Sequence, residues 1–274
     1  LASYAFYASW NPPFLLLLLY SSVLDYAVAL RLGALPVPGV TGSDGDTVES
    51  AKAVAALRRK RRALLAVSLV GNLGVLVYFK YVGFLLDNLV ALGALGVATA
   101  DGLRIDVTLP LGISFYTFQT LSYTIDVYRG RIAPVRDISV FMAFISFFPQ
   151  LCAGPIERAS HMLPQFSKPR SFDLAQASDG MRQMLWGFFK KSVIADGCSP
   201  IVNGIFEHPG WHGADTLLLG AVLFAFQIYG DFSGYTDIAL GCARLFGFDL
   251  MRNFAYPYFS RDIAEFWRRW HISL

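Results

Sequence analysis

PPFLLLLLYSSVLDYAVAL, residues 12–30, is the stretch that decides the fold. It carries a single charged residue, Asp25. The hydrocarbon core of a bilayer is about 30 Å thick, so a spanning helix needs roughly 20 mostly apolar residues. Proline is tolerated in the first turn of a helix. The stretch therefore predicts a membrane-spanning helix that begins at Pro12 and Pro13.

Similar apolar segments recur along the chain and predict an all-α, polytopic membrane protein. Of 274 residues, 55% are hydrophobic and 16% are charged, whereas ordinary soluble domains have about 25% charged residues. The mean hydropathy is +0.47. We expect about five to eight membrane segments. The candidates after residues 12–30 are 63–79, 82–98, 109–127, 138–153, 181–206, 215–230 and 234–248.

The basic residues predict the orientation in the membrane. Residues 31–62 form a polar stretch that ends in five consecutive basic residues at 58–62, and the positive-inside bias assigns it to a cytoplasmic loop. Simple alternation then places the arginines of 129–136 outside, whereas the same bias prefers them inside. We therefore expect a re-entrant or broken segment between residues 82 and 127, which is tolerated where protein or a water-filled cavity surrounds it.

The termini and the cysteines narrow the class of protein further. The chain begins at Leu1 rather than Met and ends at Leu274 directly after a motif. Residues 1–274 are therefore expected to be one membrane domain, truncated at both ends, from a longer protein. Three widely separated cysteines predict neither a disulfide framework nor a metal site. The basic block lacks interleaved aromatic residues, so nucleic acid is not an expected partner.

Polar residues inside apolar segments are candidates for function, because a charge at the bilayer centre costs about 2.5–3.5 kcal/mol on insertion scales. Gln227 and Asp231 are four residues apart and share a face of a helix, with Asp237 nearby. These residues either line a tunnel or form ordinary interhelical hydrogen bonds. For Asp25 the structural interpretation is favoured.

Residues 260–274, SRDIAEFWRRWHISL, predict an amphipathic helix that lies in the membrane interface. Ser260 or Asp262 is suited to cap its start, and Glu265 and Arg269 are spaced for an ion pair. On a helical wheel the apolar face collects Ile263, Phe266, Trp267, Trp270 and Leu274.

His271 falls at the edge of that apolar face, about 80° from Ile263. An imidazole at such a boundary is suited to act as a general base near neutral pH. A structural role beside the tryptophans is the alternative. Arg268 and Arg269 are suited to an anionic donor, an acidic polysaccharide or lipid phosphate.

Four motifs occur in an order that resembles the membrane-bound O-acyltransferase family, over essentially the whole chain. They are LPLGISFYTFQ at 109–119, FPQLCAGPI at 148–156, QIYGDFSGY at 227–235 and EFWRRWHIS at 265–273. The branch that they resemble is the membrane subunit of bacterial alginate O-acetyltransferases.

The resemblance implies a helical core with a tunnel, in which an acyl donor from the cytoplasm meets a hydroxyl acceptor from outside. His271 matches the first of two family histidines. The second lies in a Trp-His-Gly motif of a later apolar segment, which is expected beyond Leu274. Trp211-His212-Gly213 imitates that motif, but it precedes the QIYGD segment in a polar loop and is interpreted as coincidence.

The sequence therefore predicts a multi-pass enzyme of the bacterial inner membrane that moves an acyl group, with acetyl preferred, to a hydroxyl of an exported polysaccharide. His271 is the candidate catalytic residue, either as the base or as the residue that orients the second family histidine. No bound cofactor is expected, and acetyl-CoA or an acylated carrier serves as co-substrate. Expected partners are membrane lipid, the polysaccharide acceptor and periplasmic acetylation proteins. The alternatives are a transporter or channel, and a scaffold for periplasmic transferases. Candidate substrate-binding or tunnel-lining residues are Gln227, Asp231, Trp267, Arg268 and Trp270.

Overall fold

The computed structural model describes residues 1–38, 48–103, 109–151 and 154–274, which contain helices and turns but no strand. In chain order the α-helices are α1 (Ala2–Trp10), α2 (Leu15–Gly33), α3 (Val48–Ala91), α4 (Val97–Leu103), α5 (Ile113–Tyr128), α6 (Ile138–Ser146), α7 (Phe148–Leu151), α8 (Ala159–Phe166), α9 (Leu174–Phe188), α10 (Asp196–Glu207), α11 (Ala214–Leu245) and α12 (Ile263–Arg269). Three 3-10 turns occur at Pro12–Phe14, Pro209–Trp211 and Pro257–Phe259, and a π-helical segment at Phe189–Ala195 joins α9 to α10.

The prediction of a polytopic helical membrane protein is confirmed. Within the described residues, three helical stretches are long and apolar enough to cross a bilayer. They are Pro12–Gly33, Ala51–Ala91 and Ala214–Leu245. The candidate segment 138–153 is not one continuous helix, because the chain leaves the helix at Phe147 between α6 and α7.

Two pairs of predicted segments are in fact single helices. Segments 63–79 and 82–98 belong to α3, which continues through the exposed Lys80 and ends at Ala91. Segments 215–230 and 234–248 belong to α11. A lysine at the surface of a helix extends its ammonium away from the apolar stem and does not interrupt the backbone hydrogen bonds. The segment boundaries drawn at these polar residues were therefore wrong.

The loop predicted over residues 31–62 is also shorter than expected. Residues 31–33 complete α2, and residues 48–62 form the start of α3. At 1.5 Å per residue, the 44 residues of α3 span roughly 66 Å, about twice the hydrocarbon thickness. The basic end of α3 thus continues as helix beyond the length that a bilayer needs. Residues 39–47 lie outside the described part of the chain.

The predicted single domain corresponds to two compact units. The first comprises Leu1–Phe148 and Arg158–Phe166, and the second comprises Pro149–Glu157 and Ser167–Leu274. In the first unit, α2, α3 and α5 pack against one another.

A buried carboxylate joins two helices of the first unit. Asp25 of α2 is fully buried. It accepts hydrogen bonds from the Ser68 hydroxyl and, at 2.9 Å, from the Asn72 amide, both on α3. Polar interhelical contacts of this kind stabilise helix pairs in apolar surroundings, so the structural interpretation of Asp25 is supported.

Arg61 of α3 ties the ends of two other helices together. Its buried guanidinium donates to the carbonyl oxygens of Leu32 at 2.9 Å and Leu35 at 2.8 Å, at the end of α2, and of Tyr128 at 2.7 Å, at the end of α5. The last carbonyls of a helix lack intrahelical donors and carry partial negative charge. A cation with several donors satisfies both requirements.

The same contacts resolve the conflict over orientation. Because Arg61 reaches the carboxyl ends of α2 and α5, the block at 58–62 and the arginines that follow α5 lie at one end of the unit. Simple alternation failed because it counted α3 as two segments. With α3 as one helix, alternation places the block at 58–62 and the arginines after α5 on the same side, as the positive-inside bias prefers.

In the second unit, α11 packs closely against α9 and the π-helical segment. A Cβ on Gly234 would lie 2.8 Å from the Gly187 carbonyl oxygen, and one on Gly230 would lie 3.0 Å from that of Lys190. Small residues allow such backbone approach in membrane proteins. These glycines therefore permit contact between helices and do not break α11.

We expect Arg61→Gln to destabilise the first unit, because the substitution removes the charged donors that serve the carbonyls of Leu35 and Tyr128. Hydrogen bonds to charged groups contribute about 1.5–3 kcal/mol, and the detergent-solubilised protein should show a lowered thermal midpoint. Arg62→Gln is the matched control, since Arg62 is exposed. Equal midpoints for the two variants would contradict the role assigned to Arg61.

Candidate functional site

The motif that carries the candidate catalytic histidine is only partly helical. The predicted helix over 260–274 forms as α12, Ile263–Arg269, with the Asp262 carboxylate accepting from the Glu265 amide at 2.6 Å. The predicted pair of Glu265 with Arg269 is confirmed at 2.5 Å. Ile263 and Trp267 are exposed, as an apolar face toward lipid requires, and Glu265 is buried.

The helical prediction is wrong for residues 270–274, because backbone pairing with residues 253–255 replaces the helix there. The Ala255 amide donates to the Arg269 carbonyl at 3.0 Å, and the Ile272 amide donates to the Asn253 carbonyl at 2.9 Å. Trp270 is extended. The wheel position of His271 therefore does not describe its surroundings.

His271 lies between these two backbone hydrogen bonds in a strained conformation. Its φ is +46°, in the left-handed region, where a residue other than glycine costs about 1–3 kcal/mol. Such strain persists only where the surrounding structure holds it, and it is concentrated at functional sites.

The imidazole of His271 is half-buried, with its ring centroid 4.8 Å from that of Phe232 on α11 in an edge-to-face arrangement. Burial lowers the pKa of His271 below its ordinary value, because an apolar environment disfavours the charged imidazolium. Nε2 is buried and has no hydrogen-bond partner. A neutral imidazole protonated on Nδ1 thus keeps the lone pair of Nε2 uncommitted.

A cavity of about 680 Å³ lies within the second unit between α9, α11 and the segment 252–259. Its walls combine many aromatic rings with a few polar groups, the composition expected of a small-molecule site. The aromatic residues that line it are Trp186, Phe226, Tyr229, Phe254, Tyr256, Tyr258 and Phe259.

A buried ion pair forms part of the cavity wall. Lys190, in the π-helical segment, is 7% exposed and forms an ion pair with Asp237 of α11. The Gln183 amide donates to the same carboxylate at 3.0 Å. π-Helical segments often occur at functional sites, and here the segment carries Lys190 on the side that faces the cavity.

Of the residues that the sequence marked as candidates, Asp237 lines the cavity. The cavity lining does not include the other candidates, which are His271, Gln227, Asp231, Trp267, Arg268 and Trp270. Gln227 and Asp231 lie on α11, as expected, but Asp231 is exposed and pairs with Lys191 at 2.8 Å. The side-chain oxygen of Gln227 is buried without a hydrogen-bond partner. Trp267 and Arg268 are exposed on α12.

Trp270 packs against aromatic residues that line the cavity. Its ring centroid lies 5.1 Å from that of Phe254 and 6.2 Å from those of Tyr229 and Tyr258. All three partners line the cavity. His271 approaches the same wall, because Phe232 contacts both His271 and Phe254.

His212 lies far from this site. Trp211 is 80% exposed and stacks on His208, and the chain enters α11 just after Gly213. Phe232, which contacts His271, is 18 residues beyond Ala214, or roughly 27 Å along the helix at 1.5 Å per residue. This distance supports the interpretation of Trp211-His212-Gly213 as coincidence.

Sequence reasoning missed Lys190 and Asn253. Lys190 stands next to another lysine in a mixed segment, and only the packing of α11 distinguishes the buried lysine from the exposed one. Asn253 lies in an irregular stretch where no periodicity predicts burial, yet it is fully buried. Among the described residues, no group of three or more His, Cys, Asp or Glu side chains is placed to hold a metal ion.

Comparisons with known proteins agree on one family. The sequence profile of the membrane-bound O-acyltransferase family matches residues 133–274. The chain is 39% identical to a probable alginate O-acetylase AlgI of Azotobacter vinelandii, over all of this chain and 50% of that protein. It is 33% identical to a peptidoglycan O-acetyltransferase of Helicobacter pylori, over all of this chain and 52% of that protein. A teichoic acid D-alanyltransferase of Streptococcus thermophilus is 29% identical over 60% of this chain and 41% of its own length. The chain thus spans about half the length of the first two relatives.

We expect Lys190→Met to lower the free energy of unfolding by about 3–5 kcal/mol, because it leaves Asp237 uncompensated in the cavity wall. Lys191→Met is the matched control, since Lys191 is 40% exposed in its pairs with Asp196 and Asp231 and exposed pairs contribute about 0–1 kcal/mol. Chemical denaturation in detergent measures both. If the two variants lose similar amounts of unfolding free energy, the burial of Lys190 does not make it more important for stability than Lys191.

Proposed function

Because the chain belongs to the membrane-bound O-acyltransferase family, we propose that the protein transfers an acyl group, with acetyl preferred, to a hydroxyl of an exported polysaccharide, and that His271 is the general base. One observation carries the assignment to His271. A half-buried imidazole, held in a left-handed conformation, keeps Nε2 without a protein partner.

The proposed reaction needs one proton acceptor near a protected acyl group. The lone pair of Nε2 takes the proton of the acceptor hydroxyl while the oxygen of that hydroxyl attacks the acyl carbonyl carbon. The bond from that carbon to the donor's leaving group then breaks, and the imidazolium returns the proton to the leaving group. A positioned base contributes typically about 10²–10⁴-fold to such a step. The lowered pKa of His271 favours the neutral, proton-accepting form.

The cavity beside this segment suits an acyl donor. Its aromatic walls exclude water, which protects an activated acyl group from hydrolysis. The donor is acetyl-CoA or an acylated carrier. Nε2 is itself buried, so a substrate hydroxyl reaches it only after a neighbouring aromatic side chain such as Phe232 moves.

The remaining predicted residues have supporting roles in this proposal. Trp270 holds three aromatic residues of the cavity wall. Trp267 and Arg268 are exposed on α12 and are suited to contact lipid acyl chains and phosphate in the membrane interface. Gln227 and Asp231 do not line the cavity: Asp231 is exposed on α11, whereas the side-chain oxygen of Gln227 is buried.

The proposed partners are the polysaccharide acceptor, inner-membrane lipid and periplasmic acetylation proteins. The relatives named above are transferases that act on alginate, peptidoglycan or teichoic acid. Their names favour acyl transfer over the transporter and channel alternatives. Alginate and the glycan strands of peptidoglycan are polysaccharides, so two of these three names favour a polysaccharide acceptor.

We expect His271→Asn in the full-length protein to lower acyl transfer by about 10²–10⁴-fold, because the amide cannot accept and return the proton. Asparagine tolerates the left-handed conformation, so the backbone should be retained. Membranes that contain the protein and its partners, supplied with radiolabelled acetyl-CoA, give the rate of ester formation on the polysaccharide. Ester content in growing cells provides a second readout that does not depend on the added donor.

His208→Asn is the matched control, since His208 lies in the loop before α11. Normal membrane insertion and partner binding by the inactive His271→Asn protein would exclude the scaffold alternative. Wild-type transfer by that variant would refute His271 as the base.

The pH dependence provides a separate test. The neutral imidazole is the active form, so transfer should rise as the pH increases through the pKa of His271. Burial lowers that pKa. The pH at which the rate is half-maximal should therefore lie below about 6.5, the ordinary pKa of histidine. Phe232→Ala should move the midpoint upward by hydrating the ring. A midpoint that is above pH 7 in the unmodified protein would contradict this environment.

A further inference from the structure

Asn253 occupies an unusual position beside the histidine segment. It is fully buried, lines the cavity and lies in the irregular stretch between α11 and α12. Its backbone carbonyl accepts the Ile272 amide at 2.9 Å. Its side-chain oxygen accepts the Ser273 hydroxyl at 2.5 Å, so one residue binds both neighbours on the carboxyl side of His271.

The contacts continue from Asn253 and Ser273 to two further parts of the same unit. The Asn253 amide donates to the Thr236 hydroxyl on α11 at 3.4 Å, and Thr236 is also buried. The Ser273 hydroxyl oxygen accepts the Ile156 backbone amide at 2.9 Å. Ser273 thus acts as donor and acceptor at once, and the chain Thr236–Asn253–Ser273–Ile156 fixes residues 272–273 to the unit.

This anchoring bears directly on the conformation of His271. The backbone on the amino side is held where Arg269 accepts from Ala255, and on the carboxyl side where Ile272 donates to Asn253. A left-handed residue other than glycine relaxes unless its flanks are held. Burial of polar groups also makes each of these hydrogen bonds costly to lose.

We propose that Asn253 and Ser273 are positioning residues for acyl transfer, which hold the His271 imidazole against Phe232 so that Nε2 keeps one place beside the cavity wall. This inference rests on the proposed function of His271. Each acts through the backbone on the carboxyl side of the histidine, and Asn253 also lines the cavity.

The decisive experiment removes the Ser273 hydroxyl, which hydrogen-bonds with Asn253 and Ile156, and leaves the buried Asn253 unchanged. Ser273→Ala in the full-length protein removes the hydroxyl, and Ser273→Thr retains it. We expect Ser273→Ala to lower acyl transfer by at least about five- to tenfold, because the hydroxyl makes two hydrogen bonds and the loss of one typical hydrogen bond already implies a change of that size. Ser273→Thr should restore most of the rate. The matched control is Ser199→Ala, which removes the hydroxyl of a similar Ser–Asn pair with the exposed Asn203 on α10.

A double-variant comparison distinguishes positioning from general stabilisation. In the His271→Asn background, Ser273→Ala should not lower the residual rate further, because the group that it positions is already absent. A further five- to tenfold loss in that background would overturn the proposal. So would an unchanged rate in Ser273→Ala alone.

A second measurement does not depend on catalysis. Diethyl pyrocarbonate modifies histidine side chains, and mass spectrometry follows the rate at His271. We expect Ser273→Ala to speed this modification several-fold, and Ser273→Thr and Ser199→Ala to leave it unchanged. Equal rates in all variants would overturn the anchoring. Unaltered acyl transfer in His271→Asn, combined with faster modification in Ser273→Ala, would instead refute the proposed function and leave the anchoring contacts supported.

Discussion

The absence of water in the hydrocarbon core is the constraint on which the rest of this structure depends. Every backbone amide and carbonyl there must find a partner within the protein, and long helices such as α3 and α11 meet this requirement along their length. The ends of helices do not. Arg61 supplies donors to the carbonyls at the ends of α2 and α5, so one residue of the basic block completes the hydrogen bonding of two helix ends.

The second unit, which contains the cavity, depends on close approach between helix backbones. Lipid tails are as apolar as leucine, so helices in a bilayer associate through packing and hydrogen bonds rather than through the hydrophobic effect. Glycines at 230 and 234 let α11 contact the region around the π-helical segment. That segment places Lys190 beside Asp237 in a wall that is otherwise mostly aromatic. A charged pair is retained there because each partner neutralises the other.

Irregular backbone surrounds the residue at which chemistry is proposed. Residues 253–255 and 269–272 exchange backbone hydrogen bonds, and His271 lies among them with a positive φ. A regular helix would leave His271 in an ordinary conformation on a continuous apolar face. The extended pairing turns the imidazole toward α11, where burial favours its neutral form. Helix packing, backbone strain and proton affinity are therefore connected at one side chain.

The amino-acid sequence by itself determined the class of the protein, its helical periodicity and the identity of the motif histidine. Those properties depend on local quantities: apolar length against membrane thickness, i,i+4 spacing and the order of the motifs. The Glu265–Arg269 pair and the cap at Asp262 belong to this group. Tertiary structure alone decided that α3 and α11 are single helices, that residues 270–274 leave the helix, and that Lys190 and Asn253 are buried. These outcomes arise from contacts between residues far apart in the chain, and a periodicity confined to one segment carries no information about its distant partners.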